Sequence, residues 1–188
     1  MRLLLASHSP RRRQLLSELG YPVEIVNIDV DEHVDPDMPA HQVAEHLALR
    51  KSMGYPTELI GDDDVLVTAD TVVVLDGQVL GKPASHAEAM DMLHRLSGHK
   101  HQVYTGVCLR TKQQKHSFTE ETTVHFAHLS DSEINYYIDH YRPFDKAGAY
   151  GIQEWIGMVG ITGIEGCYYN VMGLPVARLY SALKKLTA

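Results

Sequence analysis

Two cysteines, Cys108 and Cys167, are all that 188 residues carry. Neither stands in a paired motif, so no disulfide framework underlies the fold and a reducing cytoplasm is the expected compartment. One tryptophan and three phenylalanines leave little for a basic, aromatic-studded surface of the kind that stacks nucleic-acid bases. Cations are also in the minority: 17 Lys and Arg face 24 Asp and Glu, a formal net charge of -7. Such a surface cannot neutralise phosphates along a nucleic acid, so no nucleic-acid partner is expected. Long apolar runs are missing too. Only about four apolar residues precede Ser7, too few for the core of a signal segment or a membrane span, and no membrane partner is expected. The pattern GxxxxGK[ST] does not occur, nor does a kinase-type glycine loop.

What is present is an ordinary globular composition, 44% hydrophobic and 22% charged, with material for one sizeable core or two small lobes. The most informative stretch runs from Leu3 to Gly20. Leu3 to Ala6 is a short apolar run suited to a buried strand. Ser9 followed by Pro10 reads as N-cap and first helical residue, because proline's missing N–H is not needed there, and Gly20 closes the helix. Arg11, Arg12 and Arg13 then crowd the first turn, where unpaired N–H groups already carry partial positive charge. A bound polyanion reverses that conflict, since N–H groups, the Ser7 and Ser9 hydroxyls and the guanidinium forks can converge on phosphate oxygens.

Further along, Val23 to Ile28 alternates like a strand and leads into an acidic turn at Asp29, Asp31 and Glu32. Ala40 to Lys51 is helical, with Ala44, Leu47, Ala48 and Lys51 on one face. That stripe carries a lysine, which either snorkels out at the helix end or lines a polar cleft, because burial without a partner costs several kcal/mol. Tyr55 to Asp64 has loop composition, and its Asp62-Asp63-Asp64 run is expected to be exposed. Val65 to Ala69 delivers Asp70 and Thr71 between two apolar runs, a place where packing alone has no use for a carboxylate. Asp76-Gly77 signals a hairpin turn, and Lys82 sits in the stiff turn Gly81-Lys82-Pro83.

Ser85 with Glu88 and Ser130 with Glu133 are capping boxes that open two helices. The second of these places Ile134, Tyr137, Ile138 and Tyr141 on one face. Gln102 to Leu109 and Ser117 to Phe126 read as strands, as does Met158 to Thr162, and a last helix buries Val176, Leu179, Tyr180, Leu183 and Leu186. No repeat or linker interrupts the chain, so a single α/β domain over 1–188 is expected. The twelve histidines raise the question of a transition-metal site at His99 and His101, but no third ligand is spaced to complete it.

The unusual residues are Ser7, Ser9, Arg11, Arg12, Glu32, Lys51, Asp70, Thr71, Lys82, Asp145 and Lys146. Mixed cations and carboxylates suit phosphoryl chemistry, in which Arg and Lys hold phosphate oxygens while carboxylates hold Mg²⁺ or orient a water. The motifs ASHSPRR at 6–12, ADTVV at 69–73, GKP at 81–83 and DKAGAYGIQ at 145–153 closely resemble the Maf family of nucleoside triphosphate pyrophosphatases, in the family's order and spacing across essentially the whole chain. The resemblance implies an α/β fold, a mixed elongated sheet flanked by helices with two lobes around a central cleft, and hydrolysis of a nucleoside triphosphate to the monophosphate and pyrophosphate. It also implies Mg²⁺ or Mn²⁺ as cofactor and suggests a homodimer.

Carried over position by position, the resemblance makes Asp70 the proton acceptor or a metal-held base, with Glu32 beside it as a metal ligand. It makes Arg12, Thr71 and Gln153 the substrate-selecting residues, and Ser7, Ser9, Arg11, Lys51, Lys82 and Lys146 further substrate contacts. The AYGIQ form is similar to the branch acting on dTTP and UTP, including some modified pyrimidine nucleotides; the 7-methyl-GTP branch is the alternative. A regulator of septum formation that binds a nucleotide as a sensor is a second kind of alternative, but a sensor needs no general base such as Asp70.

Overall fold

Leu3, Leu4 and Leu5 are buried to 2% exposure or less because they form β1 (Arg2–Leu5), an inner strand with neighbours on both sides. It runs parallel to β2 (Val23–Ile25), Leu3 opposite Val23, and parallel to β3 (Asp64–Leu75), Leu3 opposite Val65. Parallel neighbours require crossovers, and helices supply them: α1 (Pro10–Ser17) links β1 to β2, and α2 (Ala40–Met53) lies between β2 and β3. The computed structural model describes residues 1–186, and the last two residues of the expected domain lie outside these.

The remaining elements are β4 (Gln78–Leu80), α3 (His86–Leu96), β5 (Lys100–Arg110), β6 (Lys115–Phe126), α4 (Asp131–Tyr141), α5 (Trp155–Gly160), β7 (Ile161–Glu165), α6 (Tyr168–Met172) and α7 (Val176–Leu186). The strands make one mixed seven-stranded sheet in the order β2-β1-β3-β5-β6-β7, with β4 antiparallel on β3. Asp76 and Gly77 connect β3 to β4 with φ of 49° and 78°, the left-handed pair that a tight two-residue hairpin needs.

The chain divides into two compact units. The first takes Met1–Asp70, Thr105–Glu120 and the stretch from Gly173; the second takes Thr71–Tyr104 and Glu121–Met172. In the first, α2 lies very close to the sheet. A Cβ on Gly106 of β5 would stand 2.3 Å from the Ala44 carbonyl carbon and the Glu45 nitrogen, and the buried Thr68 hydroxyl of β3 donates to the Ala48 carbonyl at 2.7 Å. In the second, Leu93 and Leu96 of α3, Ile134, Tyr137 and Ile138 of α4, and Ile152 and Ile156 share one core. Ser130 and Glu133 form the full reciprocal capping box of α4.

Several expectations need correction. Asp62 and Asp63 are exposed, but Asp64 is buried. It opens β3, pairs with Arg2 (Nη2 to Oδ2, 2.6 Å) and accepts the Gly61 N–H at 3.0 Å, and the Arg2 hydrogen bond holds its carboxyl below the ordinary range. Met158 to Thr162 is not one strand: α5 occupies its first half and β7 begins at Ile161. The alternating stretch after Pro22 pairs only as far as Ile25. Glu88 turns from the expected reciprocal box and accepts the Ala84 N–H instead. Tyr141 and Tyr180 are exposed. The helix α6 was not expected; Cys167, just before it, exchanges hydrogen bonds with the Thr122 hydroxyl at 3.0 and 3.2 Å, a contact between residues 45 apart that no local pattern announces.

Candidate functional site

In the first unit the turn after β1 is built as its residues require. Ser9 has extended backbone geometry, its hydroxyl accepts the Arg12 N–H at 3.4 Å, and Pro10 is the first helical residue. The Ser7 hydroxyl accepts the Ser9 N–H at 3.2 Å, which folds the two serines back over the start of α1. Arg11 and Arg12 are partly buried and Arg13 is exposed. Arg12 Nε donates to the Gly173 carbonyl at 2.8 Å, which fixes the side chain. Burial lowers the Arg12 pKa, and the neighbouring Arg11 charge lowers it further, while Asp70 and Glu32 act in the opposite sense. A desolvated guanidinium that stays protonated gains from any added anion.

Lys51 does not snorkel out at the helix end but is held among carboxylates. Ala48 and Lys51 lie on successive turns of α2, and Thr68 and Asp70 on the same face of β3. The Thr68–Ala48 bond therefore sets the register that brings Lys51 to Asp70. The Lys51 ammonium donates to Asp70 Oδ2 and lies 3.0 Å from Glu32 Oε1. The acidic turn is held in place for this: Gly54 has no side chain where Val30 packs, a Cβ there meeting Val30 Cγ1 at 2.1 Å. Arg50 donates to the His33 carbonyl at 2.5 Å and to Asp31 at 3.4 Å.

Glu32 and Asp70 thus already hold one cation between them. Their oxygens are hard donors of the kind Mg²⁺ and Mn²⁺ prefer. Among the described residues no three His, Cys, Asp or Glu gather into a metal cage. Two carboxylates fit such an ion only where water or other oxygen ligands complete its shell. His99 and His101 do not form a site; His99 is exposed, while His101 is buried with Nε2 2.7 Å from the Tyr150 hydroxyl.

The second unit holds Thr71, Lys82, Lys146 and Gln153. Thr71 stands on β3 and is partly buried, and Lys82 is exposed. The turn of Lys82 is tied to the loop of Lys146 by the Gly148 N–H, which donates to the Gly81 carbonyl at 3.0 Å. Gly148 (φ +67°) leaves no room for a side chain against Val73, whose methyls stand 3.0 Å from its would-be Cβ. Lys146 is buried and pairs with Asp145 Oδ1 at 2.8 Å and Glu154 Oε1 at 3.1 Å. Gln153 Oε1 is a buried acceptor without a hydrogen-bond partner among the described residues.

Two residues that the sequence reading did not place in the site belong beside it. Glu154 joins Lys146 to the Tyr137 hydroxyl, which donates to Glu154 Oε2. Tyr137 reads in the sequence only as a core position of α4. The available signal was a carboxylate directly after the AYGIQ motif.

An α/β sheet protein with two serines and two arginines at the turn from β1 into α1, and a lysine on α2 paired with Asp70 of β3 and Glu32 of the loop after β2, is of a kind suited to small polyanions. The chain belongs to the Maf family, whose family model, described as Maf-like protein, matches residues 2–186. It is 51% identical over 186 residues to the dTTP/UTP pyrophosphatase of Phocaeicola vulgatus, covering 98% of this chain and 96% of that protein. It is 48% identical over 185 residues to the dTTP/UTP pyrophosphatase of Bacteroides thetaiotaomicron, covering 98% of this chain and 95% of that one. Its fold is similar to that of the Staphylococcus aureus Ham1 protein, with a TM-score of 0.52 at 14% identity, covering 97% of this chain and 100% of the other.

Proposed function

We propose that the protein hydrolyses dTTP and UTP to the nucleoside monophosphate and pyrophosphate. The observation that carries this reading is the ammonium of Lys51 held by both Glu32 and Asp70, in the same unit as Arg12 and the serine turn. The activity named for the relatives at 51% and 48% identity supports the choice of substrate.

In this mechanism the oxygen of a water attacks the α-phosphorus while Asp70 takes the water's proton. The bond from that phosphorus to the α–β bridging oxygen breaks, and its electron pair leaves with pyrophosphate. Arg11, Arg12, Lys51 and the Ser7 and Ser9 hydroxyls hold the triphosphate oxygens, and fixed cations of this kind stabilise the charge that develops on the leaving group. Glu32 and Asp70 would hold a Mg²⁺ or Mn²⁺ ion, which would supply Lewis-acid polarisation at the phosphates. The family resemblance also makes Lys82 and Lys146 substrate contacts and Thr71 a substrate-selecting residue.

Gln153 reads the base. Uracil and thymine present an N3–H donor beside an O4 acceptor, and one amide can accept from the first through Oε1 and donate to the second through Nε2. Cytosine reverses both. A matched bidentate pair discriminates by ~1 to 3 kcal/mol. Steady-state kinetics on UTP, dTTP and CTP test the assignment: the wild type is expected to prefer UTP and dTTP and Gln153→Ala to lose that preference, whereas an equal loss on all three makes Gln153 a scaffold residue.

A further inference from the structure

We infer that Tyr137 is a positioning residue for substrate selection: its buried hydroxyl pins the Gly151–Glu154 turn, and through it holds the Gln153 amide and the Lys146 ammonium in register. The inference rests on the base-reading role proposed for Gln153.

Tyr137 is fully buried on the core face of α4, between Ile134 and Ile138. Packing at such a position is served as well by phenylalanine, and a buried hydroxyl is tolerated only when it is hydrogen-bonded. Here it is bonded twice, and both bonds go to the same four-residue turn. The Gly151 N–H donates to the phenolic oxygen at 2.9 Å, and the phenolic proton goes to Glu154 Oε2. The Glu154 N–H in turn donates to the Gly151 carbonyl at 3.0 Å. Both ends of the turn are therefore fixed, with Gln153 between them.

The network continues to the lysine. Glu154 Oε1 is 3.1 Å from Lys146 Nζ, so one carboxylate joins the phenol to the ammonium. The three side chains close over the Gly151 backbone: a Cβ there would stand 2.8 Å from Gln153 Nε2, 3.0 Å from Lys146 Cε and 3.1 Å from Glu154 Cδ. Burial and the Glu154 contact raise the Tyr137 pKa far above the ordinary phenol range. The phenol therefore keeps its proton wherever the enzyme works, and its donor and acceptor sides do not exchange. Removing the oxygen leaves the Gly151 N–H and one Glu154 oxygen without this partner, and the Gln153 amide is no longer held at one angle.

The test compares wild type, Tyr137→Phe, Glu154→Gln and Gln153→Ala, each measured for kcat and KM on UTP, dTTP and CTP and for amide hydrogen exchange over residues 146–157. Tyr137→Phe is expected to lower the UTP-to-CTP ratio of kcat/KM by at least ~ten-fold and to speed exchange at Gly151, while the chain stays folded by circular dichroism. Combining it with Gln153→Ala adds no further loss of the ratio, because the two residues act as one unit. Glu154→Gln keeps an oxygen acceptor for the phenol but removes the charge beside Lys146, so it raises KM for all three nucleotides and keeps the ratio. If Tyr137→Phe keeps the ratio while Gln153→Ala loses it, the base-reading role stands and the Tyr137 inference is overturned. If Gln153→Ala itself keeps the ratio, base reading by Gln153 fails and the inference about Tyr137 falls with it. Lower thermal stability in Tyr137→Phe with ratio and exchange unchanged also overturns it, since that is what a merely structural hydroxyl gives.

Discussion

Lys51 and Asp70 lie nineteen residues apart in the chain, and the ammonium of one donates to the carboxylate of the other. Their side chains are only 14% and 16% exposed. A buried charge of either sign is costly alone, so each stabilises the other in the free protein. Asp70 is also the proposed proton acceptor, and Asp70→Asn keeps its shape without its charge. Turnover of UTP is expected to fall by ~10²- to 10⁴-fold, the range for loss of a general base. A variant with near-normal turnover removes Asp70 from the chemistry.

Lys51 occupies the same carboxylate oxygens that the proposed metal ion would need. Lys51→Met therefore has two opposite effects: it weakens triphosphate binding, and it strengthens Mn²⁺ binding to the nucleotide-free protein. A unit charge at contact range acts with ~1 to 4 kcal/mol depending on solvent screening, so Mn²⁺ affinity is expected to rise at least about five-fold by calorimetry. Equal affinity in the two proteins places the metal elsewhere.

His101 makes stability fall on the acid side. Burial, with the charge of His125 adding to it, lowers its pKa from 6.5 to about 4, so the unfolded chain binds this proton more readily than the native one. The contribution is fully present above pH 6.5 and is lost as pH falls towards 4. It amounts to ~3 kcal/mol, since one pKa unit is worth about 1.4 kcal/mol. Asp64 and Glu133, held below ordinary carboxylate values by their hydrogen bonds, lose their contributions only at still lower pH. Urea unfolding at pH 7 and pH 4.5 in wild type and His101→Gln measures the difference; the variant is expected to have the flatter profile, and identical profiles exclude His101 as the cause.

Gly106→Ala is expected to cost more than its single methyl suggests. The new carbon would stand 2.3 Å from the backbone of α2, which cannot yield as a flexible side chain can. Overpacking of a core typically costs ~1 to 3 kcal/mol, and displacing α2 also shifts Lys51 from Asp70. Both melting temperature and turnover should drop; a fully active, equally stable variant contradicts the close packing of α2 on the sheet.

What was legible in the sequence follows the range of each signal. The Ser9-Pro10 start of α1, the Asp76-Gly77 hairpin and the Ser130–Glu133 box are local chemistry and appear where expected. Asp64 was misread because its partner, Arg2, lies 62 residues away, and a run of three aspartates in a loop gives no hint that the third turns inward. Met158 to Thr162 was misread because a short apolar run fits a helix turn and a strand equally well. Lys51 stood out as a lysine on an apolar stripe, but that it bridges Glu32 and Asp70 depends on how closely α2 sits on β3 and β5. Gly106 and Thr68 set that distance, and the sequence marks neither of them as special.

The central claim is the bond that breaks, and phosphorus NMR of the products formed from UTP with Mg²⁺ tests it most directly. UMP and pyrophosphate, formed in equal amounts with no UDP at any time, are the predicted products. UDP with orthophosphate contradicts the account, because the β–γ bridge is then the one cleaved and the arrangement of Asp70, Lys51 and the serine turn serves a different reaction.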